Sequence, residues 1–110
     1  MRNFNDKSIG IELINIGRFP NWFHSTSQKL TEPYTSEQIC SLTSLICELK
    51  NRYPLISKIS GHEDLDYSMI PADDDKQKLI RRKIDPGYLF PWSKVIKETM
   101  LKRFILSNPN

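Results

Sequence analysis

The sequence has little of several features that would assign a function class at once. No run approaches the roughly 20 apolar residues of a membrane-spanning helix, so we expect no membrane span. The first residues, MRNFNDKSIGIEL, contain neither an apolar core nor a small-residue cleavage site, so no secretory signal is recognised. We therefore expect a cytoplasmic protein, or a periplasmic one if an upstream targeting segment is missing. A net charge of +3 without a basic stripe gives no reason to expect nucleic acid as a partner.

Cysteine is also scarce, and the two that occur do not suggest a disulfide. Cys40 and Cys47 lie seven positions apart in one predicted helix, which puts them on one face about 10 Å apart. That separation is too large for a disulfide, so we expect two buried free thiols. The hydrophobic fraction is 38%, somewhat low for a globular domain, which indicates a core that is partly missing or completed by a partner.

The most strand-like segment is SIGIELINI, residues 8–16. Its near-continuous β-branched run is typical of a strand buried on both faces. Glu12 interrupts that run, and a carboxylate inside a buried strand is costly unless it has a partner. From the pattern alone the alternative is an edge strand whose Glu12 faces water.

The helical signals are clearest after this strand. Thr35 and Gln38 form a capping-box pattern at the start of a helix predicted from Ser36 to Arg52, and Pro54 follows its end. We expect a short strand to end near residue 60 and Pro91 to open another helix. Residues 63–82 are polar and are predicted to be mostly irregular.

Residues 17–34 form a predicted loop that is rich in aromatic side chains. Loops of this length in a small domain are commonly either functional or disordered. Trp22, Phe23 and Tyr34 either line a groove or attach the loop to the core, and the sequence leaves both interpretations open.

Three segments, in this order along the chain, resemble one known family. They are NDKSIGIEL (residues 5–13), GHEDLD (residues 61–66) and RRKIDPGYLFPW (residues 81–92), and between them YTSEQ (residues 34–38) opens a helix that ends in RYP (residues 52–54). Together they resemble the zinc-dependent N-acetylmuramoyl-L-alanine amidases of the AmpD and AmiD type and, more distantly, the animal peptidoglycan-recognition proteins.

The resemblance implies an α/β fold, in which a mixed β-sheet has flanking helices. It covers a core of about residues 5–97 within a single domain, residues 1–110. Family members take a second zinc-binding histidine from a strand upstream of the segment that contains Ser8, so we expect an N-terminally truncated, incomplete amidase-type domain.

The same resemblance assigns roles to four residues. It implies that Glu12 is the general base or acid, that His62 and Asp85 bind Zn²⁺, and that Lys83 faces the same site. In such a site, zinc activates water, a carboxylate moves the proton and a lysine stabilises the oxyanion. The implied reaction is cleavage of the lactyl–L-alanine amide of peptidoglycan or muropeptides, with the three loop aromatics in contact with the substrate.

The chain departs from the family pattern at the second histidine. The other histidine of the chain, His24, does not match the family position, so zinc affinity is expected to fall. Three interpretations remain open: a fragment of a split or decayed gene, half of an amidase completed by a second polypeptide, or a catalytically inactive peptidoglycan-binding remnant.

Overall fold

The computed structural model describes residues 8–107. Within that range, helices and short strands follow one another in the order α1 (Ser36–Arg52), β1 (Lys58–Ile59), α2 (His62–Leu65), β2 (Met69–Pro71), β3 (Leu79–Arg81), α3 (Trp92–Thr99) and β4 (Lys102–Arg103). Strands β1 and β4 pair in parallel, and β2 and β3 pair antiparallel. The predicted α/β class with flanking helices is confirmed, and its strands are divided between these two small sheets.

Helix α1 begins and ends where the sequence predicts. The Thr35 hydroxyl accepts a hydrogen bond from the Gln38 backbone N–H at 3.0 Å, and the Thr35 N–H donates to the Gln38 side chain at 2.9 Å. The buried stripe of α1 packs against α3 in a core formed by Ile39, Leu42, Ile46, Phe90, Val95 and Leu101. This core supports the segments before and after α3.

The predicted strand at residues 8–16 is wrong. Residues 9–16 lie outside both sheets, and the Ile14 side chain is 89% exposed. Leu13 packs against the core, while the Gln38 side-chain amide donates to the Ile14 carbonyl at 2.6 Å. A β-branched run favours extended backbone, but a strand also needs a hydrogen-bonding neighbour, which the described part of the chain does not supply.

The expectation of buried thiols is also wrong, because Cys40 and Cys47 are both exposed. Each follows directly after a buried residue of α1, Ile39 and Ile46 respectively. One step along a helix turns the side chain by about 100°, which carries each thiol off the buried stripe.

A hairpin occupies part of the region that was predicted to be irregular. Met69 pairs with Arg81 and Ile70 pairs with Ile80, whose side chain is buried. The hairpin sends the chain from β3 directly toward Lys83 and Asp85. No helix within residues 8–107 is long and apolar enough to cross a membrane.

Candidate active site

Two of the predicted site residues meet at the start of α2. The His62 Nδ1 atom lies 2.7 Å from the Asp85 Oδ2 atom, and the two side chains are 63% and 52% exposed. The Glu63 backbone N–H donates to the Asp85 carbonyl at 3.0 Å, which joins the first turn of α2 to the segment after β3. An imidazole nitrogen and a carboxylate oxygen therefore lie side by side and open to solvent.

Gly61 permits this close approach of two distant segments. The residue is buried, and a Cβ at this position would clash with the Pro86 ring. It would also lie 3.2 Å from the Asp85 carbonyl oxygen and 3.3 Å from the Trp92 ring. A side chain at position 61 would push residues 85 and 86 away from His62.

Asp64 is a buried carboxylate beneath the site, which the sequence reasoning did not single out. It accepts a hydrogen bond from the Gly61 N–H at 2.9 Å and two from the Arg103 guanidinium, at 2.8 and 3.0 Å. These side-chain bonds raise the pKa of Arg103, whose guanidinium also lies 4.1 Å from the centre of the Trp92 ring. A carboxylate at the third position of a helix was the available signal, since such residues cap the N-terminus.

Tyr34 attaches the aromatic loop to the segment after Asp85. Its hydroxyl donates to the Pro86 carbonyl at 2.8 Å, and its ring meets Phe90 edge to face at 5.6 Å. Burial raises the pKa of Tyr34, and the nearby Asp85 charge raises it further. Of the two roles considered for the loop aromatics, attachment to the core describes the contacts of Tyr34.

Trp22 and Phe23 lie on the more exposed part of the same loop. The Trp22 ring meets Phe19 edge to face at 6.3 Å and is 48% exposed. The Phe23 ring lies 5.2 Å from the Arg18 guanidinium and is 37% exposed. The Phe23 carbonyl accepts from the Asp73 N–H at 2.8 Å, so this part of the loop is fixed on the β2–β3 side.

Arg18 connects the loop to the end of β3, a role that no sequence signal indicates. Its guanidinium donates to the Gln28 side chain at 2.8 Å and to the carbonyls of Arg81 and Arg82 at 3.1 and 2.6 Å. Burial lowers the pKa of Arg18, while the Asp85 charge acts in the opposite direction. The backbone that leads to Asp85 is thus held by an arginine from the aromatic loop.

Glu12 and Lys83, the other two predicted site residues, do not share the contact between His62 and Asp85. Glu12 is exposed and lies in a shallow groove against α1, beside Glu37, so its predicted place in a buried strand is wrong. Lys83 is half-buried in the segment before Asp85. Among residues 8–107, no three His, Cys, Asp or Glu side chains are grouped so that they could hold a metal ion.

His24 contacts a different carboxylate. Its Nδ1 atom lies 2.7 Å from the Thr26 hydroxyl, and its Nε2 atom lies 3.7 Å from Asp74. The Asp74 carboxylate also accepts from the Ser25 hydroxyl at 2.6 Å and from the Ser25 N–H at 2.7 Å. These contacts link the loop to the turn between β2 and β3.

Comparisons with known proteins agree with the resemblance seen in the sequence. A family model described as N-acetylmuramoyl-L-alanine amidase matches residues 1–88. The protein named N-acetylmuramoyl-L-alanine amidase AmiD, from Escherichia coli (strain K12), is 33% identical over 95 residues. That alignment covers 86% of this chain but 28% of the relative, so the chain spans little more than a quarter of the relative's length. No solved structure matches significantly.

Proposed function

Because the chain belongs to the N-acetylmuramoyl-L-alanine amidase family, we propose that it takes part in cleaving the amide between the lactyl group of N-acetylmuramic acid and L-alanine. The substrate would be peptidoglycan or a muropeptide. The observation that carries this proposal is the pair of side chains at the start of α2, where His62 Nδ1 and Asp85 Oδ2 are 2.7 Å apart. These are the two positions at which the motifs match zinc-binding residues of the family.

Zinc is the proposed cofactor. The residues present are of the chemical types that bind zinc, but there are fewer of them than a catalytic site uses. An imidazole and a carboxylate are ordinary zinc ligands, and their exposure leaves room for the ion and a water molecule. A catalytic zinc site takes three protein ligands, however, and within residues 8–107 no third His, Cys, Asp or Glu joins the pair. A bound zinc ion would supply Lewis-acid chemistry.

The proposed roles of Glu12 and Lys83 concern protons and charge. Glu12 would take a proton from the attacking water and pass it to the departing amide nitrogen, which requires an approach to about 3 Å. Glu12 lies on an exposed segment outside both sheets, and this role requires its carboxylate to come within that distance of the attacking water. Lys83 would donate a hydrogen bond to the oxyanion of the tetrahedral intermediate.

Two alternatives follow because no third ligand joins the pair within residues 8–107. In the first, a second polypeptide supplies that ligand and a strand that pairs with residues 9–14, which lie outside both sheets. In the second, the chain binds peptidoglycan without cleaving it, and Trp22, Phe23 and Tyr34 contribute to that binding.

Metal analysis together with an amidase assay separates these functions. We expect the zinc-loaded protein, alone or with the completing polypeptide, to release peptides that begin with L-alanine from muropeptides. Glu12→Gln should slow release about 100-fold or more without changing zinc content, whereas Glu37→Gln, on the same groove, should leave both unchanged. Retention of muropeptides without zinc or hydrolysis would instead establish the binding function.

A further inference from the structure

A lysine and a tyrosine form an exposed pair next to the candidate site. The Lys29 ammonium lies 4.8 Å from the centre of the Tyr88 ring. Tyr88 is 61% exposed and lies three residues after Asp85. An ammonium at this distance from an aromatic face is attracted to it, so the tyrosine ring orients the lysine.

The backbone on both sides of this pair is fixed. Leu30 is buried and packs over Gly87, where an added Cβ would lie 2.9 Å from the leucine side chain. Gly87 has φ +85°, a conformation that a side chain would strain. The Tyr34 hydroxyl also donates to the Pro86 carbonyl, so the loop is docked on the turn that carries Tyr88. Lys29 therefore extends from an anchored segment.

The charge of Lys29 is not neutralised within the described residues. Two other cations near the site do have carboxylate partners, since Arg82 pairs with Asp66 and Arg103 pairs with Asp64. Within residues 8–107, no carboxylate lies within ion-pair distance of Lys29, and its ammonium contacts the Tyr88 ring instead. An exposed, oriented and unpaired ammonium next to the site suits an anionic group on the substrate.

We propose that Lys29 and Tyr88 form a subsite for the first free carboxylate of the stem peptide, that of the D-glutamate after L-alanine. The inference rests on the proposed substrate class and adds to it the part of the substrate that is recognised. The Cα atoms of Asp85 and Tyr88 are at most about 11 Å apart, because three residues span no more than that. Two peptide residues cover about 7 Å, and the lysine side chain extends across the remainder.

A pair of matched ligands tests this subsite by direct binding. The ligands are N-acetylmuramoyl-L-alanyl-D-glutamate and the same molecule with D-isoglutamine, in which the α-carboxylate is an amide. We expect the protein to bind the carboxylate form about three- to fivefold more tightly, the range expected of an exposed charge pair. Lys29→Met should remove this preference by weakening the carboxylate form alone.

Two further variants separate recognition from a general loss of charge. Lys58→Met removes an exposed ammonium that lies 5.1 Å from the Phe104 ring, a contact of the same kind in the β1–β4 region. It should keep the preference, while Tyr88→Leu should reduce it because the ammonium is no longer oriented. Circular dichroism on each variant establishes that the fold is retained.

The outcomes distinguish this inference from the proposed function. Equal binding of the two ligands, binding of neither, or an unchanged preference in Lys29→Met would overturn the subsite even if the amide is hydrolysed. A preference that depends on Lys29 supports the subsite even in a protein that cleaves nothing, and in that case the hydrolase proposal alone fails.

Discussion

Gly61 packs against Pro86 with no space for a side chain between them, and this contact keeps His62 beside Asp85. The two residues belong to segments on either side of the β2–β3 hairpin. Their contact explains how motifs far apart in the sequence contribute neighbouring side chains to one site. The first prediction follows from the lack of space at this contact.

Gly61→Ala should destabilise the protein, because the new methyl group must displace the Pro86 ring or the Asp85 backbone. We expect the free energy of unfolding to fall by about 1–3 kcal/mol, as for other overpacked sites, in urea denaturation. Gly10→Ala is the matched control, since nothing lies within 4 Å of a Cβ there, and it should change stability by less than about 0.5 kcal/mol. Equal stability of the two variants would contradict this prediction, because it would show that the Pro86 ring can shift without a measurable loss of stability.

Arg103→Met should destabilise the protein through Asp64. The variant leaves a buried carboxylate with one fewer partner, so we expect a loss of about 3 kcal/mol in chemical denaturation. Adding Asp64→Asn should recover part of that loss, because the remaining buried group is then neutral. Lys94→Met, which removes an exposed partner of Glu98, should leave stability unchanged within error. A similar effect of Arg103→Met and Lys94→Met would contradict a special role for Asp64.

Acid should break the contact of Ser25 with Asp74, which joins the aromatic loop to the turn between β2 and β3. The hydroxyl and the N–H of Ser25 lower the pKa of Asp74 from 3.8 to about 2. Because the folded-state pKa lies below the unfolded value, this stabilisation is complete above about pH 4 and is lost as the pH falls toward 2. The Ser25 amide signal in NMR spectra should titrate near pH 2, and Asp74→Asn should shift it at neutral pH.

Asp73→Asn is the control for this titration. The Asp73 side chain pairs with Lys76 at 3.6 Å, while its backbone N–H donates to the Phe23 carbonyl. The substitution should therefore leave the Ser25 titration in place. A Ser25 midpoint near pH 4 would mean that the contact with Asp74 does not form in solution.

The features that the sequence predicted correctly are those that depend on residues close together in the chain. The bounds of α1 follow from Thr35, Gln38 and the apolar stripe, which are local signals. The prediction of a strand at residues 8–16 was wrong because a strand needs a hydrogen-bonding neighbour, which the residue pattern does not reveal. The prediction that Cys40 and Cys47 are buried was wrong because one position along a helix decides between burial and exposure.

For the candidate site, local sequence patterns likewise did not predict the contacts between distant residues. The meeting of His62 with Asp85 came from the resemblance to a family, because no spacing rule relates residues that far apart. The bond from Arg103 to Asp64 spans 39 positions, and the contact of Lys29 with Tyr88 likewise joins distant segments, so neither was predicted. The family roles of Glu12 and Lys83 remain predictions, and so do the substrate contacts of the aromatic loop.

The position of Arg103 bears on how relatives of this chain should be aligned and trimmed. The family match ends at residue 88, before α3 and β4, yet the counter-ion of Asp64 lies on β4. A boundary drawn at the end of the family match would therefore separate the Asp64 carboxylate from the arginine that neutralises it. For this chain, the packed structure extends beyond the residues that the family model matches.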